Sequence, residues 1–279
     1  MPPLRLETLR LERAGALATL VLDSPPVNAF GPAMQRDLER ALDEVEADPG
    51  VRVLRFESAN PEYFVAHYDL EAILAEADGE PRTAPGGFNR LMARLRQLAA
   101  VTVAKVAGAA RGGGCELLLA LDMRFASRQR AVFAFPEAAL GILAAGGGTQ
   151  RLPATIGRAR ALEMLLGCED VAADLADRYG LVNRALDDAE LDAHVDGLCA
   201  RIAAQPPRAL ALTKLAAGIA TGEEGSGEAL EALLLDLLKT DPEARRRMLD
   251  FIAAGGQTAA GERDFADLLE LRGGEGQLG

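Results

Sequence analysis

Two glutamates stand where carbonyl chemistry could be done. Glu116 follows three glycines and a cysteine in "RGGGCELLLALD", Arg111 to Asp122, and opens a run of leucines. Glu137 lies in "FAFPEAALGILAAGGGTQRLP", 133–153, after a short apolar stretch and ahead of a second glycine cluster, Gly146–Gly148. The segment "VTVAKVAG-AARGGG-CELLLALD" reads as strand, glycine turn and helix. The first N–H groups of such a helix have no internal partner and point outward with the positive end of its dipole. Glycines let a polar atom of another molecule approach them closely. This is an arrangement for holding an oxyanion, such as the enolate oxygen of a thioester. A carboxylate in the first turn could then give or take a proton at the neighbouring carbon. If a second carboxylate met it around one substrate, both could not be fully ionised. One pKa would rise, leaving an acid and a base within reach of one carbon.

A structural reading competes at each position. Glycine is abundant, 29 of 279 residues, and glycine-rich turns between strand and helix are common. On the glycines alone, Glu116 is better explained as a favourable charge at a helix N-terminus. Glu137 alone is better explained as a solvated turn residue.

The elements that must position these residues follow from periodicity. Residues 4–22, "LRLETLRLE" and "ALATLVLD", predict a β-hairpin turning at Arg13–Gly15. "GPAMQRDLERALDEVEADPG" predicts a helix with Pro32 in its first turn and apolar positions 34, 38, 41, 42 and 45, ended by Pro49-Gly50. "VRVLRFES" is a strand, and "ANPEYFVAHYDL" reads as irregular. The linker "DGEPRTAPGG", 78–87, has turn chemistry and is expected to be mobile. "FNRLMARLRQLA" is an amphipathic helix; "VTVAKVAG", "MRFAS" and "AVFAF" are strands. From about 157 to 254 the pattern is almost wholly helical. Strands alternating with helices, then helices only, predict an α/β body with a helical C-terminal portion.

Bulk properties narrow the function classes. With 49% hydrophobic residues the chain can build one sizeable core and a smaller appended unit. A net charge of −12 argues against nucleic-acid partners and anionic membranes. The three cysteines (Cys115, Cys168 and Cys199) have no CxxC pair, which argues against a disulfide framework or a structural zinc site. No apolar run approaches the ~20 residues that span a bilayer. The N-terminal "ALATLVL" reads as a strand and not as a signal peptide. A cytoplasmic location is expected.

The ordered motifs "AKVAGAARGGGCELLLALDMRFAS", "FPEAALGI", "GGGTQRLP" and "GRARALEMLLGCEDVAADLADRYGLVNRAL" closely resemble the enoyl-CoA hydratase/isomerase (crotonase) family. The resemblance runs from about residue 4 to 200 and, more weakly, through the tail. It implies an α/β core of ββα spiral turns over 1–200, and a helical C-terminal region over 201–279 that builds a trimer, or two stacked trimers. The apolar stripe Leu230, Leu233, Leu234, Leu237 and Leu238 fits such an interface. It also implies Glu116 and Glu137 as the catalytic pair, and the N–H groups of Gly113 and Tyr68 as the oxyanion hole. Substrate-contacting positions follow at Ala66, His67, Asp69, Gly112, Gly114 and Ala145. In the family's hydratases, Glu116 would orient and activate water and Glu137 would supply the proton to the carbon beside the thioester. The partner is then an acyl-CoA substrate, with no metal and no cofactor beyond the coenzyme A that the substrate carries.

Three departures stand out. Where the family's loop reads roughly "AGAD", this chain has "AHYD", so His67 and Tyr68 replace small residues. Glu71 stands where a lysine often meets a coenzyme A phosphate, which leaves Arg111, Lys105 and Lys214 as substitutes. Ala145 replaces a glycine whose N–H commonly helps place the water; alanine keeps that N–H where φ is negative. Arg151 and Arg158 read as surface or inter-element partners, and Cys115 as a small buried hydrophobe. The tail 255–279 departs from the family's ending and is expected to be partly disordered. Within the fold, an isomerase, hydrolase, decarboxylase or carbon–carbon lyase remains open, since fold does not choose chemistry. A catalytically idle or RNA-binding member is the alternative from another class; the charge and the two glutamates weigh against it.

Overall fold

The computed structural model describes residues 4–77 and 86–219, with the single positions 242, 246 and 253. The chain divides into two compact units, Met1–Cys199 and Ala200–Gly279.

The first unit opens with three antiparallel strands, β1 (Leu4–Arg5), β2 (Leu9–Ala14) and β3 (Leu17–Leu22). The expected first arm of the hairpin is thus two strands. The chain doubles back between them, with the Leu6 N–H on the Leu9 carbonyl at 2.9 Å. Asp37 pins the reversal by accepting both the N–H (2.8 Å) and the hydroxyl (2.9 Å) of Thr8. Helix α1 (Pro32–Ala47) begins at its proline and buries Met34, Leu38, Ala41, Leu42 and Val45, the apolar positions of the sequence pattern.

A repeating course follows. Strand β4 (Val53–Ser58), strand β5 (Tyr63–Val65) and helices α2 (Leu70–Ala77) and α3 (Gly87–Gln97) make one turn. The next holds β6 (Val101–Val106), β7 (Ala109–Arg111) and α4 (Gly113–Leu119). Then come β8 (Met123–Ser127), β9 (Val132–Ala134), a 3-10 turn (Glu137–Leu140), α5 (Gly148–Ile156) and α6 (Arg158–Gly167). The unit closes with β10 (Val171–Ala172), α7 (Ala173–Tyr179), β11 (Arg184–Leu186) and most of α8 (Asp188–Ala203).

Each turn sends its first strand to one sheet and its second to another. The larger sheet has the order β1-β2-β3-β4-β6-β8-β11 and is parallel from β3 onward. The smaller has the order β10-β9-β7-β5, with β5, β7 and β9 parallel. This is the ββα spiral. Strands β5, β7, β10 and β11 are two or three residues long, too short to show alternation. They are the strands the sequence pattern hides. The β6-to-α4 connection is accordingly strand, short strand, glycine turn and helix.

The leucine run that begins at Glu116 is explained by its surroundings. Every residue of α4 is buried, so the helix is apolar all round as a core helix must be. Each fully buried leucine side chain there contributes about 2 kcal/mol. Asp122 closes the far end of this segment. Its carboxylate accepts the N–H (2.7 Å) and hydroxyl (2.9 Å) of Thr102 at the start of β6.

In the second unit the described residues are the end of α8, a break at Pro206, helix α9 (Pro207–Ile219) and the single positions 242, 246 and 253. The linker residues 78–85, the leucine stripe 230–238 and the tail 255–279 lie outside the described residues. No helix among the described residues is long and apolar enough to cross a membrane.

Candidate active site

Three loops leave the same end of three neighbouring parallel strands. Val65 pairs with Ala110, Ala110 with Phe133, and Arg111 with Ala134. The chain emerging from β5 carries Ala66, His67 and Tyr68. That from β7 carries Gly112 and Gly113, and that from β9 carries Pro136 and Glu137. Strands in a sheet lie about 4.8 Å apart, so the three loops are immediate neighbours. The carboxyl ends of parallel strands are where open α/β sheets gather their ligand groups.

Gly112 makes the sharp entry into α4. Its φ is +48° and its N–H continues the ladder to the Ala134 carbonyl at 2.9 Å. A Cβ at this position would stand 2.6 Å from Glu137 Oε1, so Glu137 lies directly over the turn. One helical turn on, the Glu116 N–H reaches the Gly112 carbonyl at 3.0 Å. Both carboxylates therefore belong to one corner of the molecule.

Glu116 is buried, and its Oε1 accepts the Gly148 N–H at 2.8 Å. Its carboxyl pKa is pushed up to about 7. Burial is the largest cause; the charge of Glu137 adds to it, while the N–H groups of Gly148 and Gly146 and the Arg151 charge oppose it. Glu137 is half-buried, and burial raises its carboxyl too, against its own backbone N–H. Its Oε2 is buried with no hydrogen-bond partner. A buried carboxylate oxygen without a partner is costly, which favours the protonated form or a bound polar group there.

Tyr68 faces Gly113. A Cβ on Gly113 would lie 3.0 Å from Tyr68 Cβ and 3.3 Å from Tyr68 N. Tyr68 is bridged to Phe30 in parallel fashion, with the Phe30 N–H on the His67 carbonyl and the Asp69 N–H on the Phe30 carbonyl, each 2.9 Å. In that pattern the flanking residues serve the bridge, and the Tyr68 N–H points to the opposite side. Gly114 is packed under Val65, where a Cβ would meet the Val65 carbonyl.

A profile of the enoyl-CoA hydratase/isomerase family matches residues 12–233. The chain belongs to the enoyl-CoA hydratase/isomerase family. It is 31% identical over 214 residues to the short-chain-enoyl-CoA hydratase of Clostridium acetobutylicum, covering 76% of this chain and 82% of the relative. It is 35% identical over 211 residues to the carnitinyl-CoA dehydratase of Escherichia coli K12, covering 75% and 79%. The crystal structure of an enoyl-CoA hydratase from Geobacillus kaustophilus superposes with a TM-score of 0.84 at 26% identity, covering 90% of this chain and 96% of that one. The crotonase fold is thereby shown.

Within this family frame the structure distributes the remaining predicted residues unevenly. Asp69 caps α2, its Oδ1 accepting the Glu71 and Ala72 N–H groups at 3.0 and 3.4 Å. His67 lies half-buried with Nδ1 2.8 Å from the Tyr68 carbonyl, and Ala66 is buried with its N–H on the Val27 carbonyl at 3.1 Å. Ala145 is exposed, and its carbonyl accepts from Asn89 Nδ2 at 2.7 Å. The backbone donor on Glu116 comes instead from Gly148, with the Gly146 N–H close enough to favour its ionised form. Two of the expected phosphate partners are engaged by carboxylates. Arg111 forms a two-pronged pair with Asp170, each contact 2.6 Å, and Lys105 pairs with Glu57 (2.8 Å) and Asp192 (2.9 Å).

Two neighbours of Glu116 escaped the sequence reading. The Phe88 ring and Glu116 Oε2 both occupy the space that a Cβ on Gly146 would need. Phe88 in turn packs edge-on to Phe30 (4.8 Å between centroids) and Tyr68 (5.2 Å), forming an aromatic wall beside the carboxylates. Arg151, expected as a surface or inter-element partner, is half-buried, and its Nη2 donates to the Gly146 carbonyl. The position of Arg151 one residue past "GGGTQ" was the available signal, since only a long side chain folding back can reach that turn.

Proposed function

We propose that the protein is an enoyl-CoA hydratase, adding water across the 2,3 double bond of an acyl-CoA thioester. The observation that carries the reading is the carboxylate pair at the mouth of α4. Glu116 titrates near neutrality and is held by backbone donors, while Glu137 has a buried oxygen without a protein partner. A water between the two would meet one base and one acid, as addition to a conjugated double bond requires.

In this reading the thioester carbonyl oxygen accepts from the N–H groups of Gly113 and Tyr68, which stabilise the enolate-like transition state. Such a donor is worth about 3 kcal/mol. Glu116 takes a proton from water as it attacks the β-carbon, and Glu137 delivers a proton to the α-carbon. Ala66, His67, Asp69, Gly112, Gly114 and Ala145 shape the surrounding pocket. The names of the relatives, a hydratase and a dehydratase, fit the two directions of one reaction. An isomerase, which can shuttle its proton with one carboxylate, makes less use of the pair. Coenzyme A enters with the substrate and no further cofactor is called for.

The reading extends to assembly and place. The leucines at 230–238 support a trimer or hexamer, with sedimentation velocity at micromolar protein as the check; a monomer contradicts it. Three unpaired cysteines and the net charge of −12 support a cytoplasmic enzyme without nucleic-acid or membrane partners.

The test is direct. Mixed with a short trans-2-enoyl-CoA, the protein should bleach the absorbance of the conjugated thioester and yield the 3-hydroxyacyl product. Formation of a 3-enoyl product instead would replace hydration by isomerisation.

A further inference from the structure

We propose that Arg151 is a positioning residue for Glu116: its guanidinium clamps the glycine turn 146–148 against that carboxylate and sets the charge it works in. The idea rests on the hydration reading for its kinetic consequence, but its structural basis stands apart.

The geometry is local and one-sided. The Arg151 N–H bonds the Gly147 carbonyl at 2.8 Å as part of α5, and its Nη2 folds back to donate to the Gly146 carbonyl. The guanidinium fills the space where a Cβ on Gly147 would be, and Gly147 itself sits at φ +111°. The head group therefore lies flat on the turn whose other side faces Glu116. From that turn, Gly148 gives its N–H to Glu116 Oε1 at 2.8 Å, and the nearby Gly146 N–H favours the ionised carboxylate. Arg151 Nε is buried without a partner. A half-buried cation with its Nε unpartnered is an expensive way to stitch a turn, since a neutral donor would do the same at less desolvation cost. Its charge is what a neutral substitute would lack.

The charged and titratable surroundings support the same account. Glu116 is faced by Glu137 from the 3-10 turn and Arg151 from α5, with Cys115 beside it on α4. On β7, Arg111 is turned to Asp170, and Tyr63 of β5 acts on Arg111. On the far side, Arg96 of α3 repels Arg151. Arg151 is the opposite charge that acts on Glu116. It favours the ionised carboxylate, while burial and Glu137 favour the protonated one. Losing that charge must raise the pH at which Glu116 ionises.

The experiment compares wild type with Arg151→Gln and Arg151→Lys. In Arg151→Gln, kcat on a short trans-2-enoyl-CoA should fall about 10-fold or more, because a displaced general base is costly. KM should stay within a few-fold. The acid limb of the pH profile of kcat/KM should move up by about one pH unit. Arg151→Lys should return the limb to its wild-type position with intermediate kcat, since it keeps the charge and loses the planar head group that covers Gly147 and reaches the Gly146 carbonyl. A folded Arg151→Gln with an unmoved limb overturns the proposal. Should Arg151→Gln fail to fold by circular dichroism, Arg151→Lys decides: full wild-type kcat overturns the clamp, a reduced kcat with an unmoved limb supports it. A carbon-13 titration of the glutamate carboxyls, assigned with Glu116→Gln, reads the same shift without turnover. If the wild type hydrates nothing, the hydration reading falls and this titration still decides the role of Arg151.

Discussion

Glu116 and Glu137 carry identical side chains in two unlike regions. The Glu116 region is a core helix, buried at every residue, with the Gly148 N–H on the carboxylate and a guanidinium bracing the glycine turn that supplies it. The Glu137 region is a single 3-10 turn with no buried residue, running out into Leu140, Ile142 and Leu143, all exposed. One carboxylate is gripped from several sides; the other is held chiefly by where its backbone lies. A group that must hold a hydroxide-like water at fixed geometry gains from the first setting. A group that delivers a proton and must be reprotonated gains from a second that is closer to solvent. In the hydration reading proposed above, identical side chains take two roles through the stiffness and polarity of their support.

The strongest way to break this comparison is to neutralise each group. Glu116→Gln and Glu137→Gln should each lower hydration by at least ~10²-fold, the low end for a general acid–base residue. The double variant should lose far less than the product of the two, because groups acting on one water are not additive. Steady-state kinetics on one enoyl-CoA checks both. Near wild-type hydration by Glu137→Gln would remove the proton-donor assignment while leaving the fold untouched.

Next comes the rigid support itself. Gly146→Ala inserts a Cβ into space held by the Phe88 ring and Glu116 Oε2. It should cost about 1–3 kcal/mol of stability through overpacking and about tenfold or more in kcat through displacement of Glu116. Urea unfolding and kinetics separate the two losses.

Stability against pH reads the burial of Glu116. Its folded carboxyl sits at about 7, above the ordinary value of 4.5. The folded state therefore holds a proton that the unfolded chain releases between those values. Stability falls as pH rises through that window, and it falls by about 1–3 kcal/mol at most. Glu116→Gln abolishes the window, so its stability relative to wild type should be greater at pH 8 than at pH 4.5. Calorimetry at both values checks the sign; an equal difference at both would mean that Glu116 ionises like an exposed carboxylate.

The smallest effect belongs to the looser region. Gly141 ends the 3-10 turn at φ +75° with open space around it. Gly141→Ala should cost about 1 kcal/mol from left-handed strain alone and leave kcat within a few-fold. A loss as large as that of Gly146→Ala would show the two regions to be equally demanding.

The sequence made much of this visible because its long elements are strongly periodic. Helices α1 and α3 fall where their apolar spacing places them, and the core α4 is announced by an unbroken leucine run. Of the strands of the smaller sheet, only β9 is visible to such reasoning. Tyr63–Val65 and Ala109–Arg111 are paired by their place in the spiral and not by any pattern of their own. The same limit applies at the site. Glu116, Glu137, Gly112 and Gly113 were legible from motif order, since the chain places them within a few residues of recognisable turns. Phe88 and Arg151 were not, because one is an ordinary apolar position of an amphipathic helix and the other an ordinary arginine of α5. Their contact with Gly146 in the folded chain distinguishes them, with only the place of Arg151 just past "GGGTQ" as a hint.

The parallel register of β5, β7 and β9 has a consequence for how such a protein can change. Each turn of the spiral delivers one loop to the corner, so the site is divided among separable cassettes. The loop after β5 can be rewritten, as "AHYD" shows, with the groups after β7 and β9 staying on their own strand ends. On the hydration reading, recombination that exchanged that one cassette would alter what is accommodated beside the carbonyl and leave the two carboxylates in place.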